Sequence, residues 1–389
     1  MQQMTPLELA GELVRIDSVT THPNEAITEA LSSYLHRLRF DVRRFTYQDL
    51  QGVRKYGLEA RRDPPGLAGT QGGVGYFCHS DVVPVDQWSC PHGGPFDAAV
   101  AEGRLWGRGA CDMKGSIAAA LAALHRIDVA EQHESVYFFV TGDEECGMAG
   151  AEWLVSQSEW FRDLVARRGV GIIGEPTLLQ VVNAHKGGCR LDVVASGVAA
   201  HSSTRDGRNA NWRLIPFLQE LADVHRSSET DPAWQNPAFD PPTITLNPVL
   251  INVPAAPNIT VETAICRLFF RPMPNTQVGL QEVKDRLLAA ARRHGLQVAG
   301  LRELPPLFTS DDSASVRRLL QLLQQEQPLA VSYATDGCFL ADLSERIVLG
   351  PGSIEQAHRP DEWIAVAELE RGASVLERVF RAFICDDAA

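Results

Sequence analysis

Acidic and imidazole side chains stand at five sharp strand-to-loop junctions of this chain. They are His79 with Asp81, Asp112, Glu144 with Glu145, Glu175, and His358. Together they supply enough nitrogen and oxygen ligands for two zinc-like ions, with one further carboxylate to act as a base. These residue types predict a metal-dependent hydrolase.

Two of the junctions have a simple chemical interpretation. His79 ends a strand and Asp81 follows it, so the carboxylate can hold one imidazole nitrogen while the other faces a metal. Asp112 lies in the glycine-dense turn GRGACDMKG, which aims a short carboxylate inward before a helix begins. Taken singly, the first pattern is equally typical of a chance surface pair and the second of a helix N-cap.

The other junctions add carboxylates and a second imidazole. Glu144 and Glu145 follow a strand in the string GDEE, so one can bind metal while the other holds a proton, although an exposed acidic pair is the alternative. Glu175 follows an apolar strand in IIGEPT, where an unpaired carboxylate is costly. His358 sits in the tight loop GPGSIEQAHRPDE. Five such placements at one sheet edge are hard to obtain from surface charge alone.

The elements that must position these side chains alternate between strand and helix up to about residue 185. The predicted strands are 74–77, 136–141 and 170–173, and the predicted helices between them are 116–127 and 149–156. This alternation is typical of an open α/β sheet covered on both faces. In such a sheet, ligands bind at the carboxyl ends of the strands, which is where the candidate residues fall.

A different pattern begins at Gly188. Strands and helices are predicted at 190–195, 209–226, 243–253, 260–270, 281–293 and 296–301. Their order, βαββαβ, indicates a ferredoxin-like domain inserted into the first one. Residues 188–304 are therefore predicted as an inserted domain, and 1–187 with 305–389 as the catalytic domain.

Composition excludes several other classes of protein. The 389 residues carry 36 lysines and arginines against 49 aspartates and glutamates, a net charge of −13 that argues against nucleic acid or an anionic membrane as partner. No apolar stretch of about 20 residues and no secretion signal are present. The 8 cysteines stand singly, which predicts reduced, buried thiols and a cytoplasmic protein.

Several longer strings carry a resemblance to a known family. AHKG at Ala184, HSS at His201, RPMPN at Arg271 and GPGSIEQAHRPDE at Gly350 resemble the co-catalytic dinuclear zinc aminoacylase and carboxypeptidase family. That family includes acetylornithine deacetylase and succinyl-diaminopimelate desuccinylase, and the strings are closer to the deacetylase. ATDG at Ala334 is closer to the desuccinylase. The resemblance covers nearly the whole chain and implies a zinc-peptidase-like catalytic domain with a central mixed sheet.

The resemblance also implies a role for each side chain of the first set. It makes five of them metal ligands: His79 and Glu175 of one ion, Glu145 and His358 of the other, and Asp112 of both. Asp81 orients His79, and Glu144 is the general base. The two divalent ions are expected to be zinc, with cobalt or manganese as alternatives.

Four residues of the inserted domain and its border complete the expected site. The family resemblance makes residues 188–304 a dimerisation or lid domain. His201 resembles the histidine that reaches a neighbouring subunit's site to stabilise an oxyanion, which implies a homodimer. Arg271 and Asn258 resemble positions that hold the substrate carboxylate, and Lys186 is a further candidate for that contact.

The expected activity is hydrolysis of the amide of a small N-acyl amino acid, of the N-acetylornithine type, in amino-acid biosynthesis. A desuccinylase, dipeptidase or carboxypeptidase on the same scaffold is the alternative enzyme. A homologue that binds metal or amino acids without turnover is the alternative of another class.

Overall fold

The structure is a computed structural model that describes residues 4–66 and 72–385. The chain forms two compact units. The first comprises Met1–Asn183, Thr309–Leu329 and Thr335–Ala389, and the second comprises Ala184–Phe308 with Ala330–Ala334. The segment 188–304, predicted as an insertion, lies inside the second unit.

The helices and strands of the described residues have the following bounds. The strands are β1 (Asp41–Gln48), β2 (Arg54–Arg62), β3 (Val74–His79), β4 (Ala99–Ala101), β5 (Arg104–Trp106), β6 (Val136–Thr141), β7 (Val170–Ile173), β8 (Val182–His185), β9 (Gly188–Ser196), β10 (Thr245–Val253), β11 (Thr263–Arg271), β12 (Gln297–Leu304), β13 (Leu307–Phe308), β14 (Leu329–Val331), β15 (Glu345–Val348) and β16 (Trp363–Ala365). The helices are α1 (Pro6–Val14), α2 (Glu25–Arg37), α3 (Lys114–His125), α4 (Ala149–Gln157), α5 (Glu159–Ala166), α6 (Asn211–Thr230), α7 (Leu280–Arg293), α8 (Ala314–Leu323) and α9 (Val366–Ile384).

The central sheet of the first unit is mixed, as expected. Its strands follow the order β1, β2, β6, β3, β7, β15, β8. Strands β6, β3, β7 and β15 are parallel neighbours, whereas β1, β2 and β8 join antiparallel. His79 pairs with Thr141, and Ile173 pairs with Val348, so the carboxyl ends of the four parallel strands meet at one edge. The predicted junctions therefore lie together.

Apolar runs account for the strands and helices that were predicted. Strands β3, β6 and β7 are buried along their whole length, which parallel strands covered on both faces require. Helix α3 is buried from Lys114 to Leu124 and packs against α1 and α9. Helix α1 begins at a capping box between Thr5 and Glu8 with Pro6 at its first turn.

The second unit contains a four-stranded antiparallel sheet in the order β10, β11, β9, β12. With α6 after β9 and α7 after β11, its chain order is βαββαβ, as predicted. The loop 231–242 has a polar, proline-rich sequence, yet it buries Trp234 and Phe239 in the core of this unit. Among the described residues, no helix combines the length and apolar character needed to cross a membrane.

Candidate metal centre

The first group of donors surrounds His79, the last residue of β3. Its Nε2 lies 3.2 Å from Oδ1 of Asp112 and 3.5 Å from Oε1 of Glu175. Asp112 comes from the turn before α3 and Glu175 from the loop after β7. All three side chains are buried. Two strand ends and one helix start thus bring an imidazole and two carboxylates together.

The second group uses the other oxygen of Asp112. Its Oδ2 lies 3.7 Å from Nε2 of His358, and the same nitrogen lies 2.8 Å from Oε2 of Glu145. His358 has a left-handed backbone (φ 61°) in the loop after β15. Because Oδ1 faces His79 and Oδ2 faces His358, the Asp112 carboxylate stands between the two groups.

Asp81 holds two parts of this centre in place. Nδ1 of His79 lies 3.0 Å from the Asp81 backbone carbonyl and 3.4 Å from its carboxylate. The same carboxylate accepts hydrogen bonds from the backbone N–H groups of Glu144 and Glu145, at 3.2 and 3.3 Å. Asp81 therefore fixes the ring of His79 and the backbone that carries the two glutamates.

Glu144 is the carboxylate that belongs to neither of these two groups of donors. It groups with His79 and Glu175, with one donor atom of each lying within 4.8 Å of the others. Distance alone therefore allows Glu144 to be a ligand as well as a base. The two triads that share Asp112 are complete without it, which leaves its carboxylate as an extra group beside them.

Crowding of these groups changes their protonation. Burial and the charge of Asp112 raise the pKa of Glu145 to about 7 and that of Glu175 well above its ordinary value. Burial also raises the pKa of Glu144 strongly, and the neighbouring glutamates add to this. For His79, burial lowers the pKa but Glu175 and the aspartates outweigh it, so the pKa is well raised. Without added positive charge, the centre cannot keep all of its carboxyl groups ionised.

The donor set fits a pair of divalent ions. Ligand bonds of about 2.0–2.1 Å in tetrahedral zinc sites place neighbouring donors roughly 3.3 Å apart. The spacings of 3.2 and 3.5 Å around His79 are close to that distance, whereas Nε2 of His358 lies 3.7 Å from Asp112 and, as a hydrogen bond, 2.8 Å from Glu145. Within the described ranges the ion-pair partners of these carboxylates are His79 and His358, and no lysine or arginine lies within 4.0 Å of them.

A further carboxylate near the centre was missed. Asp336, in the ATDG turn, is buried and accepts a hydrogen bond from the Thr141 hydroxyl at 2.6 Å. Its other oxygen has no hydrogen-bond partner within the described residues. Burial raises the pKa of Asp336 to about 7. In the sequence, the ATDG turn stands out only by its resemblance to a family string, because no local feature shows that it lies beside the end of β6.

His201 and Asn258 belong to the second unit and lie together. His201 bridges to Ile259, and Ser202 donates its N–H to the Asn258 carbonyl at 2.9 Å. Both residues are exposed, and Nδ1 of His201 lies 2.7 Å from the Ser203 hydroxyl. Their expected roles remain predictions.

Lys186 and Arg271 also belong to the second unit. The ammonium of Lys186 is buried and donates to the backbone carbonyls of Pro241 and Thr243, both at 2.8 Å. Burial and the charge of Arg271 lower the pKa of Lys186 to about 8. These contacts favour Lys186 as an anchor of the loop 231–242. The Arg271 guanidinium lies over the Phe269 ring, 4.7 Å from its centroid.

The fold and the centre define a metallohydrolase that acts on amide bonds with the help of divalent metal. The model of the peptidase family M20/M25/M40 matches residues 76–382, and the chain belongs to this family. That match contains all the residues placed in the two triads.

Two kinds of relative are similar to the chain along its length. The acetylornithine deacetylase of Proteus mirabilis is 32% identical, covering 99% of this chain and 98% of its own. That of Yersinia pseudotuberculosis is 30% identical over 91% and 90%. Among solved structures, an M20 family metallo-carboxypeptidase from Sulfolobus solfataricus has a TM-score of 0.71 at 18% identity, over 98% of this chain and 99% of its own. Human carnosine dipeptidase 1 has a TM-score of 0.66 at 16% identity, over 96% of each chain.

Replacing Asp81 tests whether it orients the centre. Asp81→Asn keeps the shape of the side chain but replaces one carboxylate oxygen with an NH2 group. That group cannot accept the hydrogen bond from the backbone N–H of Glu144 or Glu145. We expect metal affinity and kcat to fall by about 10- to 100-fold, as is usual for partners of metal ligands. Calorimetric titration of the metal-free protein with metal measures the affinity. Asp41→Asn, an exposed aspartate on β1, is the control, and equal affinities for the two variants would contradict the role of Asp81.

Proposed function

We propose that this protein hydrolyses the amide of an N-acyl amino acid, with N-acetylornithine as the type of substrate. The observation that carries the proposal is the Asp112 carboxylate, shared between two triads of imidazole and carboxylate. The two deacetylase relatives, similar over nearly the whole chain, support the choice of acyl group and side chain. A place in amino-acid biosynthesis follows from that choice.

In this proposal two zinc ions are held at the centre. His79 and Glu175 would hold the first, Glu145 and His358 the second, and Asp112 both. When bound, such ions polarise the amide carbonyl and make a nearby water acidic enough to attack at neutral pH. They also supply the positive charge that the crowded carboxylates need.

Glu144 performs the proton transfers. Its carboxylate accepts a proton from the attacking water and returns it to the departing amine nitrogen as the C–N bond breaks. Burial and the neighbouring glutamates raise the pKa of Glu144 above its ordinary value, which makes this carboxylate a stronger proton acceptor. Asp81 holds the backbone N–H of Glu144, so the base keeps its place during both steps.

The second unit supplies the polar groups that recognise substrate. In the proposal, Arg271 and Asn258 hold the substrate carboxylate, and His201 of a second copy donates to the developing oxyanion. Exposure of His201 and Asn258 on adjoining loops is consistent with a role outside their own unit. Lys186 is left out of the substrate contacts because its ammonium already serves two backbone carbonyls.

A homodimer through the edge of the second unit's sheet is part of the proposal. Strand β10 is an edge strand with regular pairing to β11 on its other side, and it exposes Val249, Leu250 and Val253. Trp212 of the neighbouring helix α6 is 75% exposed. An apolar, regular edge strand is a template for pairing with another chain. The opposite edge, β12, has a shifted register between Ala299 and Arg302, which blunts it.

A charge on β10 should separate the two copies. We expect Leu250→Lys to halve the mass measured by sedimentation equilibrium, because a lysine cannot be buried in an apolar contact without a partner. Val298→Lys puts the same charge on β12 and should leave the mass unchanged. Equal masses for Leu250→Lys and the unaltered protein would rule out this interface.

A panel of substrates tests the reaction. We expect the metal-loaded protein to release acetate from N-acetylornithine faster than succinate from N-succinyl-diaminopimelate or amino acids from dipeptides. The solved dipeptidase and carboxypeptidase structures favour the second candidate, cleavage of small peptides. Faster dipeptide cleavage would replace the deacetylase proposal with that one. No turnover of any substrate, with metal bound, would favour a binding homologue.

A further inference from the structure

Glu362 is a buried carboxylate that the proposed chemistry does not use. It is 1% exposed and lies four residues after His358. Its Oε1 accepts hydrogen bonds from the backbone N–H groups of Cys111 and Asp112, at 2.8 and 2.9 Å. Its Oε2 accepts from the N–H of Gly109 at 2.9 Å and from Nη1 of Arg108 at 2.8 Å. Every acceptor oxygen of this side chain therefore faces the loop that carries Asp112.

That loop depends on Glu362 for its backbone hydrogen bonds. Residues 107–112 form neither helix nor sheet, and Gly109 has the left-handed φ of 82°. Gly107 donates its N–H to the backbone carbonyl of Glu362 at 2.9 Å, in addition to the bonds to the carboxylate. Buried N–H groups that lose their acceptor destabilise the conformation that holds them. The conformation of the turn that aims Asp112 is thus tied to one side chain.

The same contacts join two ligand loops that are far apart in the chain. Arg108 also donates to the Arg359 carbonyl at 3.1 Å, and the Cys111 thiol approaches the Ser353 carbonyl at 3.3 Å. The segment 353–362 carries His358, whose Nε2 lies 3.7 Å from Oδ2 of Asp112. In contrast, His79 and Glu175 are placed by β3 and β7.

We infer that Glu362 is a positioning residue that sets Asp112 against His358, and that its loss weakens the second ion site more than the first. The inference rests on the proposed function, which makes Asp112 and His358 ligands. The asymmetry follows because Glu362 belongs to the loop of His358, whereas His79 is the last residue of β3 and Glu175 lies two residues after β7, on segments to which Glu362 makes no hydrogen bond within the described residues. A purely structural role predicts no such asymmetry.

Titration of the metal-free protein with zinc tests the inference. For Glu362→Gln we expect two sites, with the second weakened by about 10- to 100-fold and the first changed by less than about threefold. The amide group turns one acceptor into a donor that faces N–H groups. Glu362→Asp keeps the charge on a shorter side chain, and its affinity for zinc at the second site should lie between those of Glu362→Gln and the unaltered protein. Glu355→Gln, on an exposed glutamate of the same segment, is the matched control.

Kinetics provide the second readout. We expect kcat of Glu362→Gln to be low at limiting zinc and to recover as zinc is raised, while KM stays within about threefold. Unchanged affinity at both sites would overturn the inference, as would equal weakening of both sites without recovery by zinc. If Glu362→Gln does not fold, the same criteria apply to Glu362→Asp. Fewer than two zinc ions in the unaltered protein would instead refute the proposed function.

Discussion

Glu144→Gln should lower kcat by about 10³- to 10⁴-fold and leave both metal ions bound. The amide cannot accept the proton of the attacking water, and general bases contribute roughly 10²- to 10⁴-fold to such reactions. Glu144 is not needed by either triad around Asp112, so ion binding should not change. Single-turnover kinetics on N-acetylornithine and zinc titration measure the two quantities.

Two comparisons make this result specific to Glu144. Glu145→Gln alters the adjacent residue, which lies against His358, and should weaken one ion as well as turnover. Glu29→Gln alters an exposed glutamate of α2 and should change neither. If Glu144→Gln keeps kcat within about tenfold of the unaltered protein, Glu144 is not the base. If it loses an ion, Glu144 is a ligand, which its distances to His79 and Glu175 allow.

Asp112→Asn should remove binding of the ion pair and, with it, nearly all activity. Its two oxygens face His79 and His358, and an amide leaves only one of them able to bind metal. Ligand binding at 100 times Kd stabilises a protein by about 2.7 kcal/mol per site. We therefore expect zinc to raise the melting temperature of the unaltered protein clearly and that of Asp112→Asn little.

The control for this substitution is Asp41→Asn, which should respond to zinc as the unaltered protein does. Melting of the metal-free forms shows whether Asp112→Asn is folded before zinc is added. A folded Asp112→Asn protein that still binds two ions with unchanged affinity would mean that the shared carboxylate is not a ligand.

The central sheet edge could be predicted because its signal is local. Strands β3, β6 and β7 are continuous apolar runs, and each ends within a few residues of a candidate ligand. Parallel strands bring such ends to one edge whatever the order of the strands. Joint placement of His79, Glu145 and Glu175 therefore follows from the apolar runs together with the rule that parallel strands end at one edge.

The hairpin of β1 and β2 was not predicted. Its strands, DVRRFTYQ and RKYGLEARR, are rich in charge, and β1 lies at the sheet edge with most side chains exposed or half-buried. A half-exposed edge strand needs few apolar residues, so its composition resembles that of a loop. The three-residue strands β4, β5 and β16 are too short to show any period.

Contacts between distant segments were also beyond prediction. Glu362 accepts from an N–H group 250 positions away, and Asp336 lies 195 positions from Thr141. Neither residue differs by type or spacing from the acidic residues around it. Their positions depend on how β15 and the segments before and after it pack beside the other strands, which is set by the whole fold.

Diffraction from crystals of the zinc-loaded protein, recorded at the zinc absorption edge, tests the central claim most directly. The account predicts two anomalous peaks on either side of the Asp112 carboxylate, one beside His79 and Glu175 and the other beside Glu145 and His358. A single peak, or peaks remote from Asp112, would contradict it.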